Sequence, residues 1–323
     1  MNSISNNSTI TTKTALEKYF AEYLLECEFS KRLRPQTLKS YAEVFKTFQK
    51  IMPEVTTITH LHPSMMSEFF RRLQIRKRII GKDTEVIGVK PSTVRTYYNK
   101  LVAFFRWLEK RDVIPYNSFS SKISKPPMPN YEDEKALSEE DISKIIASIT
   151  LHGRDNEFRY NRDLLIISLL LYTGIRKGEL LNLRIQDIDF EKQTLFISGK
   201  TSKSKRSRSI PLHFTLLTHL KSYLMQPRLK NSKSGALILS SLSDSPLTSD
   251  GLRAWVQKYK KKSGVKFHMH RFRHTFACML AKSNADITSI MKVLGHTTTR
   301  MTMQYLRSIQ AEDAKGAIER LCY

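Results

Sequence analysis

The sequence predicts a mainly α-helical protein, in which a helical bundle is joined by a linker to a second, mostly helical domain with a small antiparallel β-sheet. Three observations support that prediction. Apolar residues recur at spacings of three and four through both halves, the period of a helix with one buried face. A stretch rich in serine and proline separates the halves. The alternation expected of strands is confined to Ile185 to Leu212. A length of 323 residues accommodates about two domains at roughly 100–200 residues each.

Residues 1–13 contain no apolar run, so they are expected to be a flexible N-terminus rather than a secretory signal. The first domain spans 14–117. Its first helix places Leu16, Tyr19, Phe20, Tyr23, Leu24 and Cys27 on one face. Pro35 opens a second helix, because a first helical turn does not need the missing N–H. Leu38, Tyr41, Val44, Phe45 and Phe48 form its stripe. Pro63 opens a third helix with Met66, Phe69, Phe70 and Leu73. Pro91 opens a fourth, in which Val94, Tyr97, Tyr98, Leu101, Phe104, Phe105 and Leu108 face inward as core. Gly81 to Val89 is expected to be a polar loop between the third and fourth helices.

Residues 118–136 hold Ser118, Ser120, Ser121, Ser124, Pro126, Pro127 and Pro129, which sustain neither helix nor sheet and imply an extended linker. The second domain spans 137–323. Ser138, with Asp141 three residues on, marks its first helix start. Ile188, Phe190, Leu195, Phe196, Ile197, Ile210 and Leu212 suggest two or three short antiparallel strands with basic turns. In the tail, 306–323, an apolar stripe of Leu306, Ile309, Ala314, Ala317, Ile318 and Leu321 fits a terminal helix.

Charge narrows the function classes. Lys+Arg number 54 against 30 Asp+Glu, a formal net charge of +24, which favours a polyanionic partner through counterion release. Basic clusters occur at Lys31 to Arg34, Arg71-Arg72, Arg76 to Arg78, Lys200 to Arg208 and Lys258 to Lys266. A membrane-surface helix would gather its charge in one place. Clusters in both halves suit a nucleic acid duplex gripped from two sides. The longest apolar run, Leu164 to Tyr172, is interrupted by Ser168 and falls short of the roughly 18 residues of a membrane span. Cys27, Cys278 and Cys322 are scattered without metal-type spacing, which fits a reducing cytoplasm.

Four segments of the second domain carry the chemistry. In Tyr172 to Leu180 an apolar helix breaks at Gly174 and a new one begins at Arg176, where a helix N-terminus favours an anion. Alone, Arg176 would serve equally as a salt bridge to Glu179. The basic turn Gly199 to Arg206 presents Lys200, Lys203 and Lys205. A lysine there can deliver a proton if neighbouring cations lower its pKa, although a solvated hairpin has the same composition. In His268 to Ala277, His270 and Arg273 are three apart and share a helix face. The histidines invite a metal, but Arg271 and Arg273 would repel a cation and no carboxylate or thiolate set accompanies them. In Leu294 to Tyr305 a helix ends at Gly295, His296 follows, and Tyr305 lies nine residues beyond it. Alone, Tyr305 is a packed aromatic.

Taken in order, these residues resemble the tyrosine recombinases, the phage-integrase-like enzymes. TGIRKGEL around Arg176, GK at Lys200, HRFRHTFA with His270 and Arg273, LGH at His296, and Tyr305 before the tail follow the pattern of that family. The first domain, with Pro35, Thr37 and Tyr41 and the aromatic fourth helix, resembles its core-binding domain. The resemblance implies metal-free phosphoryl transfer with no cofactor. Tyr305 would attack the scissile DNA phosphate, Arg176 and Arg273 would hold its non-bridging oxygens, and Lys200 would protonate the leaving oxygen. His270 would act as base or phosphate contact and His296 as a further phosphate hydrogen bond. Lys203 or Lys205 can replace Lys200 in this scheme, and His268 competes with His270. Lys203, Lys205, Arg206, Arg71, Arg72, Lys31 and Arg34 would contact DNA. The resemblance also implies a duplex with a short inverted-repeat core site, and a homotetramer linked by tails 306–323 docked in neighbouring subunits. The short N-terminus suggests the simpler two-domain type.

Three rivals remain at this point. A type IB topoisomerase-like DNA-relaxing enzyme would use the same tyrosine chemistry, against which the tail stripe and size stand. A DNA-binding relative without catalysis is opposed by the filled catalytic positions. A metal nuclease would need the histidines as ligands.

Overall fold

A computed structural model of the chain describes residues 14–80, 84–115, 119–127, 136–153, 155–200, 202, 206–299 and 302–303. The chain divides into two units, residues 1–130 and 131–323. Mostly helical, they contain among the described residues two small antiparallel sheets, one per unit.

The first unit holds α1 (Ala15–Leu25), α2 (Pro35–Ile51), α3 (Pro63–Ile75) and α4 (Pro91–Lys110). Thr14 caps α1, accepting from the Glu17 amide at 3.2 Å while Glu17 accepts from the Thr14 amide at 2.7 Å. Pro35, Pro63 and Pro91 each occupy a first helical position behind an extended residue. The apolar stripes then meet in one aromatic core, with Phe48, Phe69, Phe104 and Phe105 fully buried. Phe48 and Phe69 pack edge to face at 5.2 Å.

One expectation fails here. The stretch from Gly81 to Val89 is not simply a polar loop: β1 (Lys77–Ile80) pairs with β2 (Thr84–Ile87) in an antiparallel hairpin. The cause is local, since Ile79, Ile80, Thr84, Val86 and Ile87 are β-branched residues. At Gly88 φ is +70°, and a Cβ there would stand 2.1 Å from the Gln74 carbonyl oxygen. Only glycine lets the hairpin return so closely to the end of α3. Within the stretch expected to be linker, Phe119 and Ile123 are buried in this unit's core. Glu109, buried at the end of α4, accepts from the amides of Phe119 and Ser120 at 3.1 and 2.8 Å.

The second unit is built around α6 (Glu157–Thr173), whose residues from Leu164 to Leu171 are all buried, as expected of a helix that is covered on every side. It packs against α5 (Glu139–Gly153), α8 (Phe214–Leu224) and α11 (Met269–Lys282). After α6 come α7 (Lys177–Leu181) and a sheet of β3 (Ile188–Asp189), β4 (Thr194–Ile197) and β5 (Arg208–Pro211), ordered β3-β4-β5 and antiparallel throughout. Further α-helices of this unit are α9 (Pro227–Lys230), α10 (Ser249–Ser263) and α12 (Ile287–Leu294). Among the described residues no helix is long and apolar enough to cross a membrane.

Candidate active site

The site begins where α6 stops. Gly174 caps that helix at φ +56°, and a Cβ on it would stand 2.4 Å from the Phe276 ring. The short α7 starts two residues later with Arg176 at its N-cap. The amide that could have received an external anion is already satisfied: the Arg176 N–H donates to Glu179 Oε2 at 2.9 Å. Arg176 Nη1 donates to Glu179 Oε1 at 3.2 Å. So the salt bridge weighed from the sequence exists, and it holds a guanidinium that remains 20% exposed above a carboxylate that is 1% exposed.

The second arginine arrives from α11. Arg273 is buried, with Nη1 donating to the Gly174 carbonyl at 2.8 Å and Nη2 to the Leu294 carbonyl at 2.7 Å. Arg176 Nη1 also reaches the Leu294 carbonyl, at 3.3 Å, and its Nη2 donates to the Gly295 carbonyl at 3.4 Å. These carbonyls stand at the C-terminal end of α12, where partial negative charge attracts cations. Gly295, at φ +66°, closes that end: its amide donates to Lys292 O at 3.1 Å and that of His296 to Met291 O at 3.0 Å, the Schellman pattern.

His296 is buried against Arg273. A guanidinium only donates, so the 2.8 Å contact from Arg273 Nη2 makes His296 Nε2 the acceptor. The ring proton therefore sits on Nδ1 and is donated to Thr302 Oγ1 at 2.7 Å. Burial, then the charges of Arg273, Arg176, Arg208 and His270, push the imidazole down to about 3. It is neutral at physiological pH. Thr302, fully buried, fixes the chain three residues before position 305.

A third arginine was not singled out by sequence reasoning. Arg208, the first residue of β5, donates from Nη1 and Nη2 to Glu179 at 3.2 and 2.8 Å and from Nε to the Val293 carbonyl at 2.7 Å. A Cβ on Gly295 would lie 3.0 Å from its Nη1. Ser202 adds a hydroxyl donated to Glu179 Oε1 at 2.9 Å. Burial pushes the Glu179 carboxyl up, but Arg208, the Arg176 amide and Ser202 outweigh it and leave it at about 2. Arg208 is hidden in the sequence within a basic run; its sole signal is that it leads the alternation into the inward-facing Ile210.

Of the other sequence candidates, His270 lies exposed in the first turn of α11, close enough to act electrostatically on His296. His268 is the N-cap of that helix. Lys200 is exposed on the β4–β5 connection, beside a cleft of about 370 Å³ lined also by Glu179, Asn182, Arg184 and Phe196. Arg206 is exposed further along the same connection. Tyr305, Lys203, Lys205 and the tail 306–323 lie outside the described residues. In the first unit Arg71 and Arg72 both hold Glu68, at 2.7 Å each, and Lys31 holds Glu26 at 3.1 Å. Arg34 is exposed at the N-cap of α2. Among the described residues no group of three or more His, Cys, Asp or Glu side chains is placed to share a metal ion.

The sequence matches the phage integrase family over residues 135–312. It is 29% identical over 296 residues to tyrosine recombinase XerA of Pyrococcus furiosus, covering 89% of this chain and 96% of that one. Tyrosine recombinase XerC of Oceanobacillus iheyensis is 27% identical over 306 residues, covering 90% and 91%. In fold, the chain is similar to XerH site-specific recombinase bound to a palindromic difH substrate in a post-cleavage complex, with a TM-score of 0.71 at 20% identity over 95% of this chain and 90% of that one. The Tn1549 transposon integrase in complex with transposon right end DNA gives a TM-score of 0.71 at 19% identity, over 95% and 99%.

Proposed function

The chain belongs to the phage integrase family of tyrosine recombinases, DNA strand-exchange enzymes, and from that premise we propose that it is a site-specific recombinase working through a covalent 3′-phosphotyrosine intermediate, in a tetramer, without metal or ATP. The observation behind this reading is the pair of guanidiniums, Arg176 and Arg273, anchored on the one carbonyl of Leu294 just before the segment that bears Tyr305. Duplex DNA as substrate is supported by the DNA complexes of XerH and the Tn1549 integrase.

The chemistry follows from charge. Attack of Tyr305 Oη on the scissile phosphorus forms a P–Oη bond as the bond from phosphorus to the 5′-oxygen breaks. The transition state gathers negative charge on the non-bridging oxygens, and permanently charged guanidiniums, held in advance by backbone carbonyls, meet it without reorganising. Lys200 gives a proton to the departing 5′-oxygen, and His270 takes the phenolic proton. Both ring nitrogens of His296 are engaged by Arg273 and Thr302, which favours a role in holding Arg273 over a phosphate hydrogen bond of its own. The phosphotyrosine bond conserves the phosphodiester energy, so a 5′-hydroxyl of another strand reverses the step without a nucleotide cofactor.

Arg34, Lys203, Lys205 and Arg206 track the DNA backbone, with Lys31, Arg71 and Arg72 contributing less because Glu26 and Glu68 engage them. The tail 306–323 docks on a neighbouring subunit and links the active sites around the tetramer. The substrate is a short inverted-repeat core site in cytoplasmic DNA. The test is incubation with a nicked suicide duplex carrying candidate sites, in EDTA and without ATP. A covalent protein–DNA adduct and exchanged strands are expected. An adduct with no exchanged product would overturn recombination, and loss of the adduct in EDTA would overturn the metal-free mechanism. Truncation after Ser308 is expected to abolish assembly on DNA while leaving duplex binding intact.

A further inference from the structure

We infer that Ser202 and Arg208 are positioning residues, which dock the two sides of the β4–β5 connection on Glu179 and so hold Lys200 in register with Arg176. This rests on the reading of Lys200 as the proton donor. The connection leaves β4 after Ile197 and enters β5 at Arg208, and those two residues face each other in the sheet. On the outgoing side, Ser202 donates its hydroxyl to Glu179 Oε1 at 2.9 Å, with its side chain fully buried. On the returning side, Arg208 donates to both oxygens of the same carboxylate. Two further bonds brace the base: the Ser202 amide donates to Ser198 O at 3.0 Å, and the Gly199 amide to Ser207 Oγ at 2.9 Å. Lys200, whose amide donates to Ser198 Oγ at 3.3 Å, lies between those anchors.

The carboxylate at the centre also receives the Arg176 amide and guanidinium. One anion therefore fixes a phosphate-holding arginine and both ends of the segment that presents the lysine. That linkage gives a physical reason for a fully buried serine in a segment of otherwise mostly basic and hydroxyl residues. A hydroxyl lost there would leave an acceptor oxygen of a buried carboxylate without one of its donors and free the outgoing side of the turn. Arg208 adds a second constraint through the Val293 carbonyl, so the turn is tied to the end of α12 as well.

The experiment uses single-turnover cleavage of two suicide duplexes, one with the natural 5′-oxygen at the scissile bond and one with a bridging 5′-sulfur. A thiolate leaves without being protonated, so the sulfur substrate does not need the lysine proton. Lys200→Ala, Ser202→Ala and Arg208→Lys are compared with the unsubstituted protein. Ser202→Ala is expected to slow oxygen-substrate cleavage about tenfold, short of the roughly 10²-fold expected of Lys200→Ala, and to return to within about twofold of normal on sulfur. Arg208→Lys, which keeps the charge beside Glu179, is expected to show the same selectivity. Equal slowing of both substrates by Ser202→Ala, or no slowing at all, would overturn the inference while leaving the recombinase reading intact. If Lys200→Ala itself slowed both substrates equally, the proton-donor reading would fall, and the inference with it. If the unsubstituted protein formed no adduct on either substrate, the recombinase reading would be at fault.

Discussion

Arg71 and Arg72 of α3 hold Glu68 at the surface with contacts of 2.7 Å, whereas Arg176, Arg208 and Arg273 of the second unit gather around Glu179 and the end of α12. The residue type is the same and the pairing distances are similar. The difference is water. The Arg71 side chain is 60% exposed, so solvent and salt screen its bond to Glu68. Arg273 is 2% exposed and takes its ligands from backbone carbonyls that cannot move away. An arginine of the first kind adjusts to whatever approaches it; one of the second kind is held in place, as the proposed phosphate contact requires.

Substitutions that interchange these situations test the contrast. The largest effect is expected from Arg273→Ala, with DNA cleavage slowed about 10³-fold and duplex affinity nearly unchanged, as read by adduct formation and gel shift. Arg71→Ala, made in parallel, should leave the cleavage rate where it was. Next is Glu179→Gln, which strips the charge from a buried anion facing Arg176 and Arg208. Breaking a buried pair costs on the order of 3–5 kcal/mol, to be read as a large fall in denaturant midpoint.

A smaller effect comes from acid. His296, held at about 3 in the fold against an ordinary value of 6.5, stays neutral while the unfolded chain takes up a proton. The folded state then binds fewer protons, so stability is intact above about pH 6.5 and declines as pH falls from there towards 3. Glu179, at about 2 against 4.5, adds a decline of the same sign from about pH 4.5 downward. His296→Asn should flatten the upper part of the Tm-against-pH curve and leave the lower part. The smallest effect is that of Arg71→Ala on the solution properties of the protein: no resolvable change in Tm, and a salt slope of DNA binding reduced by less than about 0.9.

Much of this was readable in the sequence, for reasons that differ by element. Pro35, Pro63 and Pro91 announce helix starts because proline is tolerated there and not further in. Gly174 and Gly295 announce helix ends because each needs positive φ. Arg176, Arg273 and His296, which the fold brings within hydrogen-bonding distance of one another's anchors, were legible only as an ordered set of motifs. The β1–β2 hairpin escaped because Lys77, Arg78 and Glu85 interrupt its β-branched residues and make a short strand look like a charged loop. Arg208 and Ser202 escaped for a different reason. Among the basic and hydroxyl residues from Thr201 to Arg208, nothing in composition singles out Arg208 and Ser202; a single carboxylate 23 residues before Ser202 does so, and only after folding.

The central claim is that preorganised arginines present a DNA phosphate to Tyr305. The most direct measurement is mass mapping of the covalent adduct formed on a nicked suicide duplex, comparing the unsubstituted protein with Tyr305→Phe. A nucleotide joined through its 3′-phosphate is expected on the peptide containing Tyr305, and for Tyr305→Phe no adduct with duplex binding retained. An adduct that persists in Tyr305→Phe, or that maps to another residue, would contradict it.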